Sequence, residues 1–92
     1  MRVIINSMPK CPSCQLAKQY LKDNAIPFEE FVFDDVESRR GLYDRLGLVG
    51  KERTVPQIIV IEDDGVENRL GGWTDLLRSD LTTRYRDSMF GE

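Results

Sequence analysis

Apolar residues near the start of the chain follow first a strand-like and then a helix-like spacing. Residues 2–5 carry a short apolar run, which predicts a buried strand that ends at Asn6-Ser7. From residue 12 to about residue 24, apolar side chains recur every three or four positions, as on one face of a helix. These side chains are Cys14, Leu16, Ala17, Tyr20 and Leu21.

The next part of the chain predicts a second strand and a second helix. Residues 28–33 are mostly aromatic and apolar but are interrupted by two glutamates, so we expect a strand at an edge of the sheet. Asp34-Asp35 then place negative charge at the N-terminal end of a helix, where the helix dipole favours it. Gly47 and Gly50 end that helix.

The second half of the chain carries the clearest strand pattern. Pro56 opens an apolar strand over residues 57–61, and a turn of acidic residues and glycine leads into a hairpin partner over residues 66–70. A double glycine then breaks the chain before a last helix over residues 74–81.

This order of elements predicts an α/β fold with βαβαββα topology. A strand–helix–strand unit forms a parallel pair and a hairpin forms an antiparallel pair, so we expect a mixed four-stranded sheet flanked by three helices. With 92 residues, the chain is too short to build two hydrophobic cores. We therefore expect residues 1–92 to form a single domain.

Charge and residue content exclude several classes of function. Thirteen basic and sixteen acidic residues give a net charge of −3, whereas sequence-independent contact with phosphates needs a basic excess, so we expect no nucleic-acid partner. The chain has no histidine, which removes the usual general base, the commonest metal ligand and the usual serine-hydrolase triad. No stretch approaches the roughly 18 apolar residues of a membrane span, so we expect no membrane partner.

Both cysteines lie in one motif, Cys11-Pro12-Ser13-Cys14. The first residues carry no apolar segment of signal-peptide length, so we expect a cytoplasmic protein whose thiols stay reduced. A zinc site needs about four ligands, and two thiolates without an imidazole do not complete one. A structural disulfide across so short a loop would constrain the unfolded chain only weakly.

A redox role suits the surroundings of this motif better than zinc binding or a structural disulfide. Cys11 falls at the N-cap of the first predicted helix, and Pro12 falls at the first helical position, where its missing N–H costs nothing. Free N–H groups, the helix dipole and the adjacent Lys10 all favour a thiolate at Cys11. Cys14 follows within reach of a disulfide. We expect Cys11 to attack as the nucleophile and Cys14 to act as the resolving thiol.

Three motifs occur in order along the chain: Cys11-Pro12-Ser13-Cys14, Thr54-Val55-Pro56 and Gly71-Gly72-Trp73-Thr74-Asp75-Leu76. Together they closely resemble the glutaredoxins, which have the thioredoxin fold, and the resemblance covers nearly the whole chain. It implies a thiol–disulfide oxidoreductase that binds no cofactor tightly and uses glutathione as its co-substrate. It also implies that the peptide bond before Pro56 is cis.

The resemblance further assigns a glutathione site. The Val55 backbone would pair with the cysteine of glutathione like an added strand. Thr74 and Asp75, after the double glycine, would hold the γ-glutamyl end, although Thr74 could equally be a simple helix N-cap. The remaining residues of the site that the resemblance implies are Lys10, Arg40, Thr54, Pro56, Gly72 and Trp73.

The sequence departs from the family pattern at several positions. Ser13 stands where the family commonly has Tyr, so an aromatic contact with the substrate is lost. Lys10 is adjacent to the nucleophile, whereas the family often places a lysine a few residues earlier. Trp73 is bulky for its position and could line the groove or anchor the core; we favour the groove. Arg39 and Arg40 could contact glutathione or form a solvated helix face.

We expect a monomeric dithiol glutaredoxin that reduces protein disulfides and glutathione-mixed disulfides, with ribonucleotide reductase as one client that fits the family. Two alternatives stay open. A thioredoxin-like reductase recharged by a flavoprotein is disfavoured by the Thr74-Asp75 pair. An iron–sulfur carrier, in which two chains share a cluster through Cys11 and glutathione, is disfavoured by Pro12 and by Cys14.

Overall fold

A mixed four-stranded sheet lies at the centre of the fold, in a computed structural model that describes residues 1–89. The last three residues of the predicted domain lie outside the described residues. The strands are β1 (Arg2–Ser7), β2 (Glu29–Val32), β3 (Gln57–Ile61) and β4 (Glu67–Gly71). The helices are α1 (Pro12–Asp23), α2 (Val36–Arg45), α3 (Trp73–Arg78) and α4 (Leu81–Met89), with a 3-10 turn at Gly50–Glu52.

The strand order in the sheet is β2-β1-β3-β4. β1 and β2 are parallel, as the predicted strand–helix–strand unit requires. β3 is antiparallel to both β1 and β4, so the predicted hairpin is confirmed. β2 lies at an edge, as its interrupting glutamates predicted.

The hydrophobic core joins the sheet to three of the helices. Side chains alternate between the two faces of a strand, so residues two positions apart point the same way. Val3 and Ile5 on β1 point into this core, and so do Ile58 and Val60 on β3. α1 contributes Ala17 and Leu21, and α3 contributes Leu76. The complete cluster is Val3, Ile5, Ala17, Leu21, Ile26, Ile58, Val60, Leu76 and Leu81.

The predicted last helix over residues 74–81 is wrong in its bounds, and the described residues contain four helices rather than three. Ser79 is extended (φ −81°, ψ 165°) and ends α3. Its hydroxyl donates to the Leu76 carbonyl (2.7 Å) and accepts from the Leu81 N–H (3.3 Å). A serine bonded in this way replaces helical backbone bonds on both sides, so the chain starts a new helix at Leu81.

A polar cluster joins α1 to the edge strand. Lys18 on α1 pairs with Glu30 on β2 (2.9 Å), and the buried Ser7 hydroxyl donates to the same carboxylate (2.7 Å). The Ser7 hydrogen bond and then Lys18 lower the pKa of Glu30 below its ordinary value, against the effect of burial.

Among the helices described, none combines the length and apolar character needed to cross a membrane.

Candidate active site

Cys11 and Cys14 form a disulfide at the start of α1, with their Cα atoms 5.2 Å apart. Cys11 is the N-cap residue (φ −110°, ψ 105°) and Pro12 is the first residue of the helix, as predicted. The Cys14 N–H lies 3.1 Å from the Cys11 sulfur. Cys11 retains 5 % of its surface and Cys14 none, so Cys11 is the more exposed of the two cysteines.

The segment before β3 runs beside Cys11. The Val55-Pro56 peptide bond is cis, which confirms what the resemblance implied. The Val55 carbonyl oxygen lies 4.0 Å from the Cys11 sulfur. Pro56 is buried and Thr54 is exposed, so the backbone of Val55 lies between the core and the surface, beside the disulfide.

A groove of about 540 Å³ brings together most of the residues assigned to the glutathione site. From the two motifs, Thr54, Val55, Pro56, Gly72, Trp73, Thr74 and Asp75 all line it. Ser13 of the cysteine motif also lines it, so the groove reaches the turn that carries the disulfide.

Lys10, Arg39 and Arg40 do not line this groove. Lys10 is exposed beside Cys11, with left-handed backbone (φ 58°). Arg40 bonds Glu37 on its own helix (3.3 Å), and Arg39 donates to the Phe33 carbonyl (3.0 Å). Both arginines line a different, smaller cavity on α2. The glutathione contacts implied for Lys10 and Arg40 therefore stay predictions that the shape of the groove does not support.

Two basic residues that the sequence analysis did not single out line the groove instead, Lys51 and Arg69. Neither forms an ion pair within residues 1–89. Each lies next to a recognised motif, since Lys51 comes three residues before Thr54 and Arg69 two residues before Gly71. That proximity is the sequence signal that could have found them. Gln57 and Glu52 also line the groove and were not predicted.

Asp75 holds the start of α3. Its carboxylate accepts the Gly72 N–H (2.9 Å), and the N-cap residue is Gly72, so the alternative of Thr74 as the N-cap is wrong. Gly71 has φ 120°, and a Cβ at this residue would overlap the Asp75 carboxylate. Glycine is therefore required at residue 71 for both backbone conformation and space. One carboxylate oxygen of Asp75 thus accepts the Gly72 N–H, and the residue lines the groove.

Trp73 takes both of the roles considered for it. Its ring meets the Tyr20 ring edge-on, with centroids 5.8 Å apart and planes at 75°. Both rings pack against the hydrophobic core, and Trp73 also lines the groove. Its indole therefore forms a groove wall that α1 supports from behind.

The potential metal ligands of the described residues do not gather at one place. Within residues 1–89 there is no group of three or more His, Cys, Asp or Glu side chains arranged to hold a metal ion. The two cysteine sulfurs are bonded to each other in this structure.

Comparison with known proteins identifies the family. The family model described as Glutaredoxin matches residues 3–66. Glutaredoxin 1 from Francisella tularensis, solved with cacodylate, is 31 % identical with a TM-score of 0.70, and the match covers 92 % of this chain and 96 % of that one. Glutaredoxin from Brucella melitensis is 28 % identical with a TM-score of 0.66, covering 90 % and 86 % of the two chains.

A more distant match agrees in fold. A buckwheat glutaredoxin–glutathione complex has a TM-score of 0.63 at 17 % identity, over 94 % of this chain and 69 % of that one. No curated protein matches the chain. The thioredoxin-like fold is thus confirmed, with the Cys11–Cys14 disulfide at the start of α1. By its family model and its structural relatives, this chain belongs to the glutaredoxin family.

Proposed function

We propose that this chain reduces protein disulfides and glutathione-mixed disulfides with electrons from glutathione. The observation that carries the proposal is the disulfide between Cys11, the more exposed cysteine, and the fully buried Cys14, beside the groove that Val55 lines. The glutathione bound to the buckwheat relative supports the choice of reductant.

The reaction needs only the two sulfurs of the site, the client disulfide and the thiols of two glutathione molecules. The Cys11 thiolate attacks one sulfur of a client disulfide, that S–S bond breaks, and the client's other sulfur leaves as a thiolate and takes a proton. Cys14, after losing its proton, attacks the Cys11 sulfur, releases the second client thiol and forms the Cys11–Cys14 disulfide. The Cys14 N–H, 3.1 Å from the Cys11 sulfur, stabilises negative charge there.

Two glutathione molecules complete the cycle. The first attacks the Cys11 sulfur and releases Cys14 as a thiol, which leaves glutathione joined to Cys11. The second attacks the glutathione sulfur of this mixed disulfide, so oxidised glutathione leaves and the Cys11 thiolate is restored. A glutathione-mixed substrate enters the same cycle directly and needs only Cys11.

The groove suits the charges of glutathione, which carries two carboxylates and one ammonium group. We assign the carboxylates to Lys51 and Arg69, because these cations line the groove and Arg40 does not. We assign the ammonium group to the Asp75 oxygen that does not accept from Gly72. The Val55 backbone beside Cys11 provides the strand-like pairing for the cysteine of glutathione.

The proposal extends to dithiol clients, of which ribonucleotide reductase is one that the family resemblance suggests. A coupled assay tests it: NADPH consumption is followed with a glutathione-mixed disulfide, using either glutathione plus glutathione reductase or thioredoxin reductase alone. We expect turnover only with glutathione. Turnover with thioredoxin reductase alone would favour the thioredoxin-like alternative, and a brown protein with a bound cluster would favour the iron–sulfur alternative.

A further inference from the structure

Gln57, the first residue of β3, is a polar side chain buried to 2 % exposure. Its Nε2 donates to the Thr54 carbonyl (2.8 Å) and lies 3.4 Å from the Glu52 carbonyl. Both carbonyls belong to the segment that leads into Val55. The side chain of Gln57 therefore folds back along the chain and ties that segment to the sheet.

The opposite end of the Gln57 amide is also bonded. Its Oε1 accepts from the Arg69 guanidinium on β4 (3.3 Å). The Gln57 backbone carbonyl accepts from the buried Asn6 amide on β1 (3.0 Å). An amide offers donors at one end and an acceptor at the other, so these partners fix its orientation: a flipped Gln57 would bring an oxygen to the two carbonyls.

The segment held in this way is the one that faces the redox centre. Pro56 has no N–H to donate, so the segment cannot enter the sheet by a ladder bond at that residue. The Val55 carbonyl nevertheless lies 4.0 Å from the Cys11 sulfur. The hydrogen bond from the Gln57 side chain to the Thr54 carbonyl is a physical reason why Val55 lies so close to Cys11.

We propose that Gln57 is a positioning residue, which holds the Val55 backbone where a substrate can pair with it beside Cys11. This inference deepens the proposed function and rests on it for its kinetic consequence. Gln57 acts through Thr54 and Val55 and takes no part in the sulfur chemistry. Arg69 links the same amide to the groove, because its guanidinium bonds Gln57 and the residue lines the groove.

Two variants together test this role, and the first is Gln57→Glu. It keeps the length of the side chain and an acceptor for Arg69, but it loses the N–H donor and places a carboxylate against two carbonyl oxygens. We expect KM for the glutathione-mixed disulfide to rise about tenfold, which corresponds to about 1.4 kcal/mol. The rate of Cys11 alkylation by iodoacetamide should change by less than about twofold, because the sulfur keeps its own surroundings. Gln57→Met removes the same donor without placing a carboxylate beside Arg69, the cation that we assign to glutathione. It should raise KM in the same way, which shows that the effect comes from the lost donor.

Val60→Ala is the matched control for a loss of stability alone. Val60 lies on the same strand and is buried in the core. Its truncation should lower the melting temperature and leave KM unchanged. If both Gln57 variants lower the melting temperature with KM at the wild-type value, Gln57 only stabilises the fold and the proposal is wrong.

A measurement without glutathione separates this inference from the proposed function. Native-state hydrogen exchange of the Thr54 amide, which donates to the Glu52 carbonyl (2.9 Å), reports directly whether the segment is held. In both Gln57 variants we expect this exchange to quicken by about tenfold or more. In Val60→Ala, the ratio of this exchange rate to the exchange rate of core amides should stay close to the wild-type ratio. Unchanged exchange overturns the proposal. If the wild type fails to turn over the glutathione-mixed disulfide but the exchange result holds, the proposed function fails and the positioning role stands.

Discussion

Asp75 offers the sharpest test of the groove, because its two carboxylate oxygens have separate tasks. One oxygen accepts the Gly72 N–H and holds the start of α3. We assign the other oxygen to the ammonium group of glutathione. Asp75→Asn keeps an oxygen that can accept from Gly72 but removes the negative charge, whereas Asp75→Ala removes both. The pair of variants therefore separates the structural task from the binding task.

The expected effects of the two variants on stability and on KM differ enough to be measured. Loss of a helix-capping acceptor typically costs about 1 kcal/mol of stability. A hydrogen bond to a charged group contributes about 1.5–3 kcal/mol, which corresponds to roughly a ten- to hundredfold change in affinity. Asp75→Asn should therefore raise KM for glutathione by at least about tenfold with a melting temperature near that of the wild type. Asp75→Ala should raise KM by a similar factor and lower the melting temperature as well.

The assay is the NADPH-coupled reduction of a glutathione-mixed disulfide, with thermal unfolding and Cys11 alkylation measured on the same samples. Asp35→Ala is the matched control, since the Asp35 carboxylate accepts the Ser38 N–H at the start of α2 (2.7 Å), the same kind of contact outside the groove. It should lower the melting temperature and leave KM unchanged. A wild-type KM in Asp75→Asn would refute the assignment of the ammonium group to this carboxylate.

Three further predictions concern the second cysteine, the groove cations and pH. Cys14→Ser should keep turnover of glutathione-mixed disulfides, which needs only Cys11, and lose most reduction of dithiol clients; equal loss of both activities would contradict the resolving role. The double variant Lys51→Ala and Arg69→Ala should raise KM for glutathione by about tenfold at low salt and by less at high salt, because screening weakens exposed charge pairs, and an effect without salt dependence would argue against direct pairing. The Arg84 hydrogen bond and then Asn68 hold the pKa of Glu62 below its ordinary value of 4.5, so the stabilisation is present above that value and is lost as pH falls through the lowered pKa. Glu62→Gln should therefore flatten the decline of the melting temperature on the acid side of pH 4.5, and an unchanged pH profile would show that this pair does not contribute.

The strands could be predicted because their signals are local. The apolar run of β3 and the acidic turn before β4 each lie within a few residues, so period and turn chemistry were enough. The break between α3 and α4 was missed because no glycine or proline marks it. Ser79-Asp80 before Leu81 is a helix-start signal that could have found it, and its strength depends on where the Ser79 hydroxyl points.

The residues of the candidate site also fall into those that local sequence could predict and those that it could not. Residues within the recognised motifs, such as Val55 and Asp75, line the groove and were assigned to the glutathione site by their place in the chain. The basic residues were not, because the approach of Lys51 and Arg69 depends on a 3-10 turn and on the register of β3 with β4. Neither the turn nor the register can be predicted from residues that are close in sequence. Arg40 was assigned by resemblance alone, and its side chain bonds Glu37 on its own helix.

The charge arrangement of the groove suits glutathione, the reductant that we propose. The chain carries a net charge of −3, yet the carboxylates that line the groove, Glu52 and Asp75, each accept a backbone N–H: that of Val49 (3.4 Å) and that of Gly72 (2.9 Å). Lys51 and Arg69 form no ion pair with them or with any other described residue. The acidic side chains are thus engaged in holding the backbone, and the cations keep their charge for a ligand. A small peptide with separate carboxylates and one ammonium group complements this pattern, because its anionic ends can reach the cations while its ammonium group reaches Asp75.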